Sequence, residues 1–221
     1  MLNERREMVK KLSENGYIKT EKVRGAMSTV AREEFVPFEQ KLLAYRDSPL
    51  PLKEGQTISA PHMVAMICEE LELEEGMKVL EIGTGFGYNA AVISEIISKK
   101  GQVYSIERLK SLFKIATENI KKTGYEENIE LILGDGTLGY ENGAPYDRIY
   151  GTAGSPFIPK PLKNQLKIGG KLLIPVGDSL KFQNLLSIEK KSKNEFKQSS
   201  LGGVIFVPMI GKYAWDERQL P

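Results

Sequence analysis

Acidic residues stand at or near the ends of three short apolar runs: Glu81 inside Val79–Ile82, Glu107 after Val103–Ile106, and Asp135 just beyond Ile129–Leu133. The first run passes directly into Gly83-Thr84-Gly85-Phe86-Gly87. Glycines at alternate positions permit positive φ and remove the Cβ atoms that would block a bound nucleoside, which is more than a tight turn requires. A dinucleotide fold uses G-x-G-x-x-G to bring a pyrophosphate to a helix N-terminus, whereas G-x-G-x-G behind an acid repels a pyrophosphate and suits a cationic ligand. Glu107 has the chemistry to accept from both hydroxyls of a ribose. Asp135 can accept from the exocyclic amine of adenine while the N–H of Gly136 donates to a ring nitrogen.

An adenosine ligand that also carries positive charge is S-adenosylmethionine, whose ammonium group can be met by acceptors directly or through water. The stretch Glu81 to Gly87, with Gly83, Thr84, Gly85 and Gly87 as its turn, resembles motif I of the class I methyltransferases. Plainer roles exist for each part: a βα turn without ligand, a strand-end surface acid at Glu107, an Asp-Gly turn at Asp135. NAD sites also use an acid on the ribose, so Glu107 alone leaves the adenosine ligand unidentified.

The elements that must position these groups follow from periodicity. From Lys78 onward, apolar runs alternate with amphipathic ones: Val79–Ile82, Tyr88–Ser98, Val103–Ile106, Leu109–Thr123 and Ile129–Leu133, a βαβαβ pattern. It predicts a Rossmann-like, doubly wound, mostly parallel α/β sheet with ligands beyond the carboxyl ends of the strands. Further strands are expected at Tyr146–Thr152, Lys171–Val176, Asn184–Ile188 and Val204–Pro208, a helix near Pro159–Leu166, and more antiparallel pairing in the last third. The charged run Lys190–Lys197 reads as a solvated hairpin tip. Upstream, Asn3 can cap a helix ending near Gly16, Thr20 another leading to Phe35-Val36-Pro37, and Ser59 a third running to about Leu73 with Pro61 in its first turn. We expect one methyltransferase domain over residues 1–221, with N-terminal helices and a substrate and cofactor loop in 1–75, the cofactor core in 76–155 and C-terminal strands in 156–221.

Composition narrows the setting. Of 221 residues, 41% are hydrophobic, enough for a core, and 31 Lys and Arg against 29 Asp and Glu leave a net charge of +2, with no obvious basic cluster for a polyanion. One Cys and one His provide neither a disulfide nor a zinc set, so no metal is expected and a reducing cytoplasm is the expected compartment. Met1–Gly16 lacks the apolar stretch of a signal peptide, and no run approaches the ~20 apolar residues of a membrane span.

The segment Ala44-Tyr45-Arg46-Asp47-Ser48-Pro49-Leu50-Pro51, followed by Gly55-Gln56-Thr57-Ile58-Ser59-Ala60-Pro61-His62-Met63, is far more selective than the glycine turn. Together with Val79–Gly87, Val103–Glu107, Gly134–Gly136, Ala144–Asp147 and Lys171–Gly177, it resembles the protein-L-isoaspartate O-methyltransferases over nearly the whole chain. The resemblance implies that Ser59 is the active-site serine, lying between cofactor and substrate, and that Asp47 and Gln56 belong with Ser59 to the substrate side. It also implies that Thr57, Ile58 and His62 form part of the cofactor pocket with Glu81, Glu107, Asp135 and Gly136, and that the last sheet strands follow an unusual order. Thr152-Ala153-Gly154-Ser155 departs from the more alanine-rich turn of many relatives. Ser59 is equally suited to capping the following helix, His62 to a polar first-turn position, and Asp47 to an Asx-turn before Pro49.

The implied reaction moves the methyl of S-adenosylmethionine to the free α-carboxylate of an L-isoaspartyl residue in a damaged protein or peptide. That carboxylate, with a reference pKa near 4, is already anionic at neutral pH, so no strong base is needed. The methyl ester then closes to a succinimide without further catalysis, S-adenosylhomocysteine being the other product. Expected partners are isoaspartyl chains bound in extended form through backbone contacts, with no nucleic acid, membrane or obligate protein partner. A methyltransferase for nucleic acid or small molecules would share the glycine turn but not Gly55–Met63, and the D/N-P-P-F/Y motif of amino methylation is absent. A noncatalytic adenosine-binding module, or a dinucleotide oxidoreductase, is the alternative from another class.

Overall fold

The structure, a computed structural model, describes residues 1–179 and 182–219. Two helices open the chain, α1 (Leu2–Glu14) and α2 (Glu21–Thr29). Thr20 caps α2 through Val23 N–H as its sequence position suggests, whereas Asn3 lies inside α1, whose N-cap is Met1 and which has no side-chain cap. A two-residue ladder, β1 (Leu50–Pro51) with β2 (Thr57–Ile58), precedes α3 (Pro61–Glu70).

Then come β3 (Lys78–Ile82), α4 (Tyr88–Ile97), β4 (Gln102–Glu107), α5 (Lys110–Thr123), β5 (Ile129–Leu133) and β6 (Tyr146–Gly151), followed by α6 (Lys160–Gln165), β7 (Leu166–Ser179), β8 (Phe182–Lys190) and β9 (Phe196–Val204). Seven strands form one sheet in the order β5-β4-β3-β6-β7-β8-β9. Pairing is parallel from β5 to β7 and antiparallel in β7-β8-β9, which run as a simple meander in chain order. The strand expected at Val204–Pro208 is displaced: the ladder partner of β8 is Phe196–Val204, and the residues beyond form only isolated bridges. The hairpin tip at 191–195 matches expectation, except that Lys190 is buried and its Nζ donates to the carbonyls of Lys163, Asn164 and Leu166 at the end of α6.

Alternate residues of β3 feed two cores. Val79 joins the cluster built by Met8, Leu12, Val23 and Met27 of the N-terminal helices, while Leu80 and Ile82 join Ile149, Leu162 and Leu172 on the other face. The N-terminal helices are therefore part of the principal core rather than an appendage to it. Removing a buried side chain such as Leu12 or Met27 would cost about 2–5 kcal/mol. Helix α4 is buried at every position but Glu95, with Ala90, Ala91 and Ile93 fully covered, because α2 closes the face that the sheet does not. Helix α5 shows the commoner amphipathic arrangement: Leu112, Ala116 and Ile120 are buried at four-residue spacing, and Gly124 ends it in the left-handed conformation. No helix among the described residues is long and apolar enough to cross a membrane.

Candidate active site

Parallel strands β3, β4 and β6 end side by side, and the turns leaving them frame an open cleft. Gly83, Gly85 and Gly87 all have positive φ, at 98°, 57° and 96°. A Cβ on Gly83 would lie 2.3 Å from Thr152 Oγ1, which donates to the Gly83 carbonyl at 2.7 Å, so that glycine is needed for both conformation and space. At Gly85 the nearest atom to an added Cβ is Leu52 Cδ1 at 3.5 Å, so conformation alone selects glycine there. Gly87 serves as the N-cap of α4 and is not on the cleft wall.

Beneath the turn, Glu81 is fully buried and accepts from Ser105 Oγ and the Tyr150 hydroxyl; Ser105 Oγ also lies 2.6 Å from Thr84 Oγ1. Burial pushes the Glu81 carboxyl up to about 8, against the lowering effect of those two hydrogen bonds, and the nearby Glu107 charge adds to the rise. At neutral pH the group is mostly uncharged, and a cation arriving beside it would favour ionisation. Glu107 accepts from Gly85 N–H at 2.9 Å and Leu109 N–H at 3.0 Å, which ties the glycine turn to the start of α5. Its own pKa is raised by burial, partly offset by these backbone donors.

Thr57, Ile58, Glu81, Gly83, Thr84, Gly85, Glu107 and Gly136 all border the cleft. Asp135 does not: one of its oxygens accepts from Thr137 N–H at 2.8 Å and the other from Lys212 N–H at 2.8 Å. The same carboxylate thus caps the turn Gly136–Leu138 and anchors the C-terminal segment. That segment closes the cleft through Val207–Ile210, pinned by mutual backbone bonds between Gly154 and both Val207 and Met209. Spacing alone did not single it out, because its only signal was a short apolar run read as a strand.

A second cleft of about 900 Å³ adjoins the first, bounded by Pro49, His62, Met63, Phe182 and Phe206. Thr57 and Ser59 border both clefts. Helix α3 begins at Pro61 with Ala60 as N-cap and no side-chain cap bond, so Ser59 does not cap it, and the helix ends at Glu70 rather than near Leu73. The hydroxyl of Ser59 has no hydrogen-bond partner among the described residues, whereas its carbonyl accepts from Arg32 Nη2 at 2.8 Å. The first turn of α3 is instead capped by Asp47, which accepts from His62 N–H at 2.9 Å and lies 2.8 Å from His62 Nδ1. His62 consequently faces the second cleft and not the first. Gln56 stands the other way, on the first cleft with its amide donating to the Glu54 carbonyl at 3.1 Å, and Asp47 borders neither.

A family model described as protein-L-isoaspartate(D-aspartate) O-methyltransferase matches residues 3–214. The chain is 58% identical over 215 residues to the protein-L-isoaspartate O-methyltransferase of Methanothermobacter thermautotrophicus, covering 97% of this chain and 99% of that one. It is 49% identical to that of Staphylothermus marinus, covering 97% of each chain. A solved protein-L-isoaspartate O-methyltransferase superposes with a TM-score of 0.85 at 31% identity, over 95% of this chain and 67% of that one. A Plasmodium falciparum structure described as the same enzyme, in complex with S-adenosyl-L-homocysteine, gives 0.82 at 28% identity, over 92% and 97% of the two chains. The fold agrees with these likenesses, and the chain belongs to the protein-L-isoaspartate(D-aspartate) O-methyltransferase family, enzymes that use S-adenosylmethionine to methylate isoaspartyl residues.

Proposed function

We propose that the chain methylates the free α-carboxylate of L-isoaspartyl residues in damaged proteins, with the cofactor in the first cleft, the isoaspartyl residue in the second, and transfer occurring where they meet at Ser59. The observation that carries this reading is the double exposure of Thr57 and Ser59, which border both clefts, with a serine hydroxyl that the described residues leave unbonded. S-adenosylmethionine supplies an electrophilic methyl on a sulfonium leaving group. The glycine turn fits it: positive φ at Gly83 and Gly85 keeps side chains off the backbone path on the cleft wall, and two buried acids lie at the strand ends.

Each residue then has a defined task. Glu107 takes the ribose and Gly136 N–H the adenine end, while Asp135, bonded to Thr137 and Lys212 rather than bordering the cleft, holds the turn that presents Gly136. Gly83, Thr84 and Gly85 hold the amino-acid portion with Glu81 below, while Thr57, Ile58 and Gln56 close over the cofactor. Ser59 orients the acceptor carboxylate by donating a hydrogen bond, and His62, held by Asp47, borders the same acceptor cleft. No base is required for an acceptor that is already anionic, so catalysis consists of alignment and exclusion of water. The ester formed closes to a succinimide by attack of the following backbone nitrogen, expelling methanol. The second cleft adjoins the end of β9, Gly203 and Val204, which suits an extended chain read through its backbone. A reducing cytoplasm fits the lone Cys68, buried and with its thiol pushed up by burial.

The test compares two synthetic peptides differing only in L-isoaspartate or L-aspartate at one position, with labelled S-adenosylmethionine. Label in the isoaspartyl peptide alone is expected. Label in neither, with the cofactor still bound, would overturn the reading.

A further inference from the structure

Arg32 lies in a short turn after α2 and is completely buried. Its Nε donates to the Ala44 carbonyl at 2.7 Å and its Nη2 to the Ser59 carbonyl at 2.8 Å. These two carbonyls belong to the residues that begin and end the connection carrying Asp47, Gln56 and Thr57. The guanidinium also stacks on the ring of Tyr88, 4.8 Å from its centroid, and Tyr88 is the first residue of α4, directly after Gly87. Among the described residues its remaining nitrogen, Nη1, and the Tyr88 hydroxyl are both buried without a well-formed hydrogen bond, and the two groups lie close enough for the cation and the phenol to act on each other.

A buried cation held by carbonyls rather than by a carboxylate is a poor way to stabilise a core; an apolar side chain of similar volume would serve packing better. What a guanidinium alone provides is a planar fork of fixed donors that can hold two carbonyls at a set separation while its face lies flat on an aromatic ring. All three engagements converge on groups that set the distance between the serine and the glycine turn. We propose that Arg32 is a positioning residue for methyl transfer, clamping both stems of the 45–59 connection and, through Tyr88, registering Ser59 against the turn 83–87. This rests on the reading in which the two clefts meet at Ser59.

Arg32→Lys and Arg32→Gln test it, with Kd for S-adenosylhomocysteine by calorimetry and kcat for the isoaspartyl peptide at saturating cofactor. A lysine ammonium is a point donor that cannot span both carbonyls, so kcat should fall about 10- to 100-fold; Kd should weaken by a clearly smaller factor, because the clamped connection also carries Gln56, Thr57 and Ile58 beside the cofactor. A proportional loss of cofactor affinity and kcat, or an unchanged kcat, overturns the proposal. Failure of both variants to fold would make Arg32 a folding determinant and overturn it as well. Wild-type kcat in Ser59→Ala would remove the role assigned to that hydroxyl, and Arg32 would still be judged on the split between kcat and Kd.

Discussion

Asp47 accepts from the backbone N–H of His62 at 2.9 Å and lies 2.8 Å from the same residue's Nδ1, so the first turn of α3 is capped from fifteen positions upstream. The bond joins the connection that enters the acceptor cleft to the helix that leaves it. It also frees Ser59 from the structural task that its place before Pro61 suggests.

Replacing Asp47 with Ala should therefore lower stability by about 1 kcal/mol, the usual worth of a helix cap. The half-exposed pairing with His62 adds little to that. Urea unfolding at neutral pH measures it, and an unchanged midpoint would show that the cap is replaced by solvent.

Ser59→Ala should behave oppositely. With no hydrogen bond to lose, its unfolding free energy should stay within about 0.5 kcal/mol of the parent, while kcat for an isoaspartyl peptide falls by about tenfold or more. Equal loss in stability and turnover would contradict the division of labour between Asp47 and Ser59.

Glu81 predicts a pH dependence of the cofactor-free protein. Its folded-state pKa, about 8, lies above the ordinary 4.5, so between these values the native state holds a proton that the unfolded state has released. This contribution to stability is fully present below pH 4.5, declines as pH rises, and is gone above about 8. Glu81→Gln, which mimics the neutral acid, should flatten that decline in unfolding measured from pH 5 to 9. A variant with the parent's slope would place the titration elsewhere.

Gly83→Ala should be severe. The added Cβ meets Thr152 Oγ1 at 2.3 Å, and φ is 98°. Strain of about 1–3 kcal/mol is expected, with S-adenosylhomocysteine affinity reduced more than about tenfold as the turn shifts. Gly124→Ala is the control: its φ is 79° but its Cβ meets nothing within 4 Å, so destabilisation without loss of cofactor affinity is expected. Calorimetric titration of both variants separates the two effects.

Much of this protein is legible in its sequence, and for local reasons. The strands β3, β4 and β5 and the helices α4 and α5 follow from apolar runs alternating with amphipathic ones, because burial on both faces of a parallel sheet leaves that trace in the chain itself. The glycine turn is equally local: positive φ at alternate residues selects glycine whatever surrounds it. Three acids at the ends of apolar runs, and the stretch Gly55–Met63, were sufficient to name the cofactor and the family.

What the sequence left open depends on partners distant along the chain. Whether Ser59 caps a helix was decided by Asp47, whether His62 faces the first or the second cleft by the same bond, and whether Asp135 is free by Lys212, 77 positions later. Arg32 carried no sequence signal at all, since its role consists of carbonyls at positions 44 and 59 and a ring at 88. Hydrogen bonds and stacking have a reach of a few ångströms in space but no fixed spacing in sequence. Residue type and periodicity could therefore specify the elements and the chemistry, and only the packed chain could determine which donor meets which acceptor.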